Sequence, residues 1–120
     1  MSGTAKQPVN EKREYVRTAV ALAAEYGLVS DATKSCGEIV NLGGGGVRLA
    51  SAEDIPVGSI VELRFALQPN EPAMLARGKV VLSFFEGANS RFAHGIAFTQ
   101  IAPDDQQKII AFVAQQTAAA

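Results

Sequence analysis

The sequence holds one cysteine, Cys36, one histidine, His94, and no tryptophan. A lone cysteine cannot close a disulfide within the chain, and without a second Cys or His at ligand spacing it does not suggest a zinc site. Cys36 therefore reads as a small buried hydrophobe, and a reducing compartment is its natural setting. His94 has no nucleophile signature beside it and reads as a wall residue of a strand. Aromatic residues make up only 7% of the chain and the formal net charge is -1, so both the stacking platforms and the basic field that polymeric nucleic acid requires are lacking. No run approaches the roughly 18 consecutive apolar residues that span a bilayer. The closest is Ala19 to Ala24, and the polar N-terminus has no apolar core of a secretory signal. These absences point to a soluble, cytoplasmic protein without membrane insertion, metal or cofactor, and to a function other than catalysis.

What is present is enough for one core. At 120 residues, with 48% hydrophobic and 19% charged residues, the composition is that of a single globular domain. Val16, Thr18, Val20, Leu22, Ala24 and Tyr26 occupy every second position, the period of a strand face. The alanines from 19 to 24 also suit a helix, but the β-branched positions and Gly27 favour the strand. Cys36 to Val40 forms a short strand that runs into Gly43 to Gly46, after which Val47 and Leu49 alternate with Arg48. Ser59 to Leu67, Met74 to Phe85 and Phe92 to Phe98 give further strands, separated by turn residues at Pro69 to Pro72 and Glu86 to Ser90. Past Pro103, the acidic pair Asp104 and Asp105 followed by Ile109, Ile110 and Val113 marks an amphipathic helix. The pattern predicts a mainly β fold, a small antiparallel barrel with one C-terminal α-helix over its open end or side.

Two segments could carry recognition. Lys12, Arg13 and Arg17 gather three cations just before the first strand. A guanidinium offers a planar fork that suits a phosphate, the O6 and N7 edge of guanine, or the face of a base. A solvated basic stretch is the plainer explanation. In the second segment, Asn41-Leu-Gly43-Gly-Gly-Gly46, four successive glycines carry a heavy entropic cost, and they permit positive φ or close approach of a ligand to bare amides. Asn41 adds a side chain able to read a base edge or to cap the turn. A permissive hairpin loop explains the same residues. No Lys-Ser or Lys-Thr follows the glycines, and Val47-Arg48-Leu49 alternates like a strand where a phosphate-binding loop would start a helix.

Taken in order, these features resemble the PilZ family of bacterial cyclic di-GMP receptors. The family's R-x-x-x-R stands here as Arg13-Glu-Tyr-Val-Arg17, and its (D/N)-x-(S/A)-x-x-G as Asn41-Leu-Gly43-Gly-Gly-Gly46. Phe92-Ala-His-Gly-Ile-Ala-Phe98, with Asp104-Asp105 and the terminal helix, is similar to the family's closing strand and helix. Gly43 departs from the usual Ser or Ala, so any hydroxyl contact from that position is missing.

The resemblance implies a six-stranded split barrel over residues 12–116, between a flexible tail at 1–11 and a disordered tail at 117–120. It also implies a non-catalytic receptor that holds cyclic di-GMP on its outer wall through Arg13, Arg17, Asn41, Gly43 and Gly46, with Lys12 secondary. An N-terminal segment that is mobile without ligand would then relay binding to an unidentified effector protein in motility, pilus or exopolysaccharide control. The alternative is a degenerate barrel that has kept the fold but lost the nucleotide, and acts as an adaptor between proteins.

Overall fold

The computed structural model describes residues 15–118. Six strands alternate along the chain: β1 (Arg17–Leu28), β2 (Ser35–Gly43), β3 (Gly46–Ser51), β4 (Ile60–Phe65), β5 (Met74–Glu86) and β6 (Arg91–Ile101). A single helix follows, α1 (Pro103–Ala118). All neighbouring strands are antiparallel, and they close into a barrel in the order β1-β2-β3-β6-β5-β4. The expected fold class is the observed one.

Alternation explains which side chains fill the barrel. In β4, Val61, Leu63 and Phe65 are buried while Glu62 and Arg64 face outward. In β3, Val47 and Leu49 point in and Arg48 out. Ile39 and Leu42 of β2, Val80 of β5 and Ile96 of β6 complete the interior. The helix packs against β1 and β2 and sends Ile109 and Val113, both fully buried, into the same core. Burial of this many branched side chains, each contributing about 1.5 to 3 kcal/mol, is what holds a barrel of this size together. Among the described residues, no helix is long and apolar enough to cross a membrane.

Several local features differ from the sequence expectation. Cys36 is exposed, because it lies on the outward side of β2 opposite Glu25 of β1. The glycine segment is less of a loop than expected: Asn41 to Gly43 end β2, Gly46 starts β3, and only Gly44 and Gly45 turn. His94 is fully buried and acts as a strut. Its Nε2 lies 3.0 Å from Ser51 Oγ and 3.1 Å from the Glu53 carbonyl oxygen, and its Nδ1 lies 3.1 Å from Ser83 Oγ. Ser51 Oγ already donates to the Glu53 carbonyl at 2.7 Å, so Nε2 carries the hydrogen and donates. The ring thereby joins β3, β5, β6 and the loop after β3, with Ser51 committed as a hydrogen-bonding group.

Candidate functional site

Strand register builds the site. Arg17 of β1 lies opposite Gly43 of β2, Gly43 opposite Gly46 of β3, Gly46 opposite Ala97 of β6, and Ala97 opposite Lys79 of β5. Opposed residues share a face, so one row on the outer wall reads Arg17, Gly43, Gly46, Ala97, Lys79. A second row beneath it reads Ala19, Asn41, Arg48, Gly95, Leu82. Cations therefore stand at both ends of a floor that is nearly bare backbone. Above it opens a depression of about 1040 Å³ lined by Tyr15, Arg17, Gly43, Gly46, Gly95 and Gln106 among others.

Close approach accounts for Gly44 and Gly46. None of Gly43 to Gly46 has a positive φ, contrary to one use expected of them; among the described glycines only Gly58 does, at 97°. A Cβ on Gly46 would overlap the Ile96 carbonyl oxygen, and one on Gly44 would sit 2.5 Å from Tyr15 Cδ1 and 2.8 Å from Ile110 Cγ1. The turn is thus wedged between the Tyr15 ring, β6 and the helix. Gln106 Nε2 donates to the Gly44 carbonyl at 2.9 Å, and the Phe98 amide donates to the Gly45 carbonyl at 2.9 Å, which fixes the turn from both sides.

Arg17 is exposed at the rim of the depression. Partial burial, and after it the like charge of Arg48, hold its guanidinium below the usual arginine range, though it remains a cation at neutral pH. Among the described residues, neither Arg17 nor Arg48 nor Lys79 has a carboxylate within 4.0 Å, whereas Lys34 and Arg77 share Glu62, and Arg91 is paired with Glu38 and Glu86. Among the described residues the cations without a carboxylate partner therefore include the three around the glycine floor, along with Arg64 of β4 and Lys108 of α1. This arrangement suits a flat, anionic ligand lying on open backbone with guanidinium groups at its edge.

Of the residues singled out by sequence, the structure brings Arg17, Gly43 and Gly46 together on the depression. Asn41 is half-buried one row below, beside Arg48 and outside the depression's lining. Lys12 and Arg13 lie outside the described residues. Sequence reasoning missed Tyr15, Gln106 and Arg48. Arg48 was open to discovery as the outward residue between Val47 and Leu49. Nothing in the sequence marks Gln106.

The fold and the candidate site define a small barrel with a basic, glycine-floored outer face. The chain belongs to the PilZ domain family, whose profile matches residues 11–115. Among solved structures, it is similar to the Bacillus subtilis inhibitor of motility MotI/DgrA, with a TM-score of 0.80 and 18% identity. That match covers 89% of this chain and 52% of the other, so the chain spans about half of that relative's length. It is also similar to the PilZ domain of YcgR from Escherichia coli in complex with c-di-GMP, with a TM-score of 0.63, 11% identity, and coverage of 88% and 94%. A third similar structure is the MrkH-c-di-GMP complex of K. pneumonia, with a TM-score of 0.65, 12% identity, and coverage of 89% and 53%. No curated protein matches the chain significantly.

Proposed function

We propose that this chain is a non-catalytic cytoplasmic receptor for cyclic di-GMP. The observation that carries the reading is the outer row of Arg17, Gly43, Gly46 and Ala97, a bare-backbone floor with an uncompensated guanidinium at its rim. Membership of the PilZ family and the c-di-GMP complexes of YcgR and MrkH support the choice of ligand. In this reading Arg17, joined by Arg13 and secondarily Lys12, engages phosphates and guanine edges. Gly43 and Gly46 let the ligand approach the backbone, and Asn41 contacts a base. Binding gathers the 12–17 segment, whose close like charges repel until an anion arrives, and the surface so formed engages an effector protein.

The domain is expected to bind cyclic di-GMP far more tightly than GTP or cyclic di-AMP in isothermal calorimetry. Absence of heat and of competition at high micromolar ligand overturns the proposal. The adaptor reading draws on two observations, Gly43 in place of the family's Ser or Ala and the likeness to an inhibitor of motility. It requires partner binding that cyclic di-GMP leaves unchanged.

A further inference from the structure

β5 outlasts its neighbour β4. Their last register pair is Ile60 with Lys79, and Val80 then exchanges backbone hydrogen bonds with Gly58 and Ser59. From Leu82 to Glu86 the strand pairs with β6 alone, Leu82 opposite Gly95 through Glu86 opposite Arg91. Among the described residues, no backbone hydrogen bond reaches its other side. The β5 edge projects beyond the closed part of the barrel, as does the Arg17 to Ala23 stretch of β1, which pairs with β2 alone.

Natural sheets blunt open edges with lysine, proline or inward charge, because unpaired amides and carbonyls template another strand. Here the segment is apolar and exposed: Val81 at 55%, Leu82 at 46%, Phe84 at 39% and Phe85 at 58%. A bulge between Val80 and Leu82 turns Val81 out of the regular alternation and adds it to the exposed strip.

We infer that this edge pairs with the same edge of a second copy of the chain, antiparallel, with Phe84 on the two-fold axis. An antiparallel edge is self-complementary under such an axis, and only a residue directly facing its own mate keeps opposed side chains on one face. With the axis at Phe84, Leu82 faces Glu86 of the second copy and Ser83 faces its Phe85. Moving the axis back to Ser83 drives the second copy's Glu86 against the Gly58 and Ser59 backbone that already occupies Val80.

Charge favours the same register. Lys79, the next outward residue before the bulge, falls at the diagonal of Glu86 of the second copy, within reach of long side chains. Lys79 has no acidic partner among the described residues, whereas Arg91 alone serves both Glu86 and Glu38. The two-fold axis thus sets a surplus cation beside a surplus carboxylate, twice. A single edge of about five residues is a short contact beside the roughly 800 Å² per partner of a stable complex, so the dimer is expected to be reversible and concentration-dependent.

Sedimentation velocity from micromolar to millimolar protein, without ligand, tests this. The weight-average mass of the wild type is expected to climb toward twice the chain mass, while Phe84→Lys, with unchanged circular dichroism, stays monomeric. Register is tested by mild oxidation in a Cys36→Ser background. Cα atoms of a self-facing pair lie about 4.5 to 5.5 Å apart, within the disulfide range, so Phe84→Cys is expected to crosslink between copies. Leu75→Cys, exposed on β5 where β4 covers the edge, is not. A wild type that stays monomeric to millimolar concentration overturns the inference. So does a dimer that Phe84→Lys leaves intact, or a Phe84→Cys crosslink no faster than that of Leu75→Cys.

Discussion

Replacing Gly43 by serine tests whether its missing side chain is a loss of ligand contact or a requirement of the fold. The backbone at Gly43 is not in the positive-φ region, so a side chain meets no conformational penalty there. An added Cβ would lie 3.0 Å from Arg17 Cγ and 3.0 Å from the Val16 carbonyl oxygen. The arginine stem is flexible and gives way easily; the carbonyl must shift by a few tenths of an ångström. That shift costs less than the about 1 to 3 kcal/mol of true overpacking, and removing a glycine from the unfolded chain returns about 0.4 to 1 kcal/mol. The two effects nearly cancel, so Tm is expected to move by no more than about 4 to 8 °C, the change that 1 kcal/mol produces in a domain of this size. The hydroxyl points onto the floor beside Arg17, where one hydrogen bond is worth about 0.5 to 1.5 kcal/mol, or roughly twofold to tenfold tighter cyclic di-GMP binding. Calorimetry and thermal melting of the same preparation measure both quantities. A Gly43→Ser protein that melts normally yet binds at least tenfold more weakly refutes the reasoning, because the glycine would then be needed for ligand approach.

Three further outcomes follow from the same geometry. Gly46→Ala sets a methyl against the Ile96 carbonyl and, at 3.2 Å, Ala97 Cα, with only backbone to yield. It should cost about 3 kcal/mol and lower Tm by roughly 10 °C or more in scanning calorimetry. Arg17→Ala should weaken cyclic di-GMP binding by about 1.5 to 3 kcal/mol, roughly tenfold to a hundredfold, without lowering Tm. Burial, and then a 2.8 Å hydrogen bond from its hydroxyl to the Glu53 carboxylate, raise the Tyr26 pKa above its ordinary value. The folded state therefore holds this proton more tightly. Its contribution is intact below about pH 10 and is lost as pH rises through the raised value. Urea titrations at neutral and strongly alkaline pH should show a smaller alkaline loss for Tyr26→Phe than for the wild type.

The strands were legible wherever one face is buried over several residues. The alternation from Thr18 to Tyr26 matches the burial seen along β1, and Ile109 and Val113 of the expected helical stripe are core residues. Cys36 was misplaced because β2 is short of apolar neighbours at that end. A single residue beside Gly37 and Glu38 carries no parity signal, and a bulge between Ile39 and Asn41 breaks the alternation further on. Barrel closure through β1 and β4 depends on pairs such as Ala24 with Phe65, distant in sequence, which no local pattern encodes. For the site, Arg17, Gly43 and Gly46 were found by residue type and order. Tyr15 and Gln106 reach it only because the start of β1 and the first turns of α1 converge on Gly44. The glycines were legible as special, but which neighbour each one admits is a property of the packed barrel.

The pairing of Gly46 with Ala97 also has a bearing on how the chain folds. The floor is made of β1, β2 and β3 on one side and β6 on the other, so its final wall is supplied by a strand that follows β4 and β5 in the chain. Contacts between residues so far apart in sequence place such barrels among the slower two-state folders, in milliseconds to seconds. A chain halted before β6 would hold Arg17 and all four glycines yet have no surface for a ligand to lie on. A ligand held on this floor as proposed is therefore expected to stabilise the finished barrel, slowing its unfolding, without speeding the search that builds it.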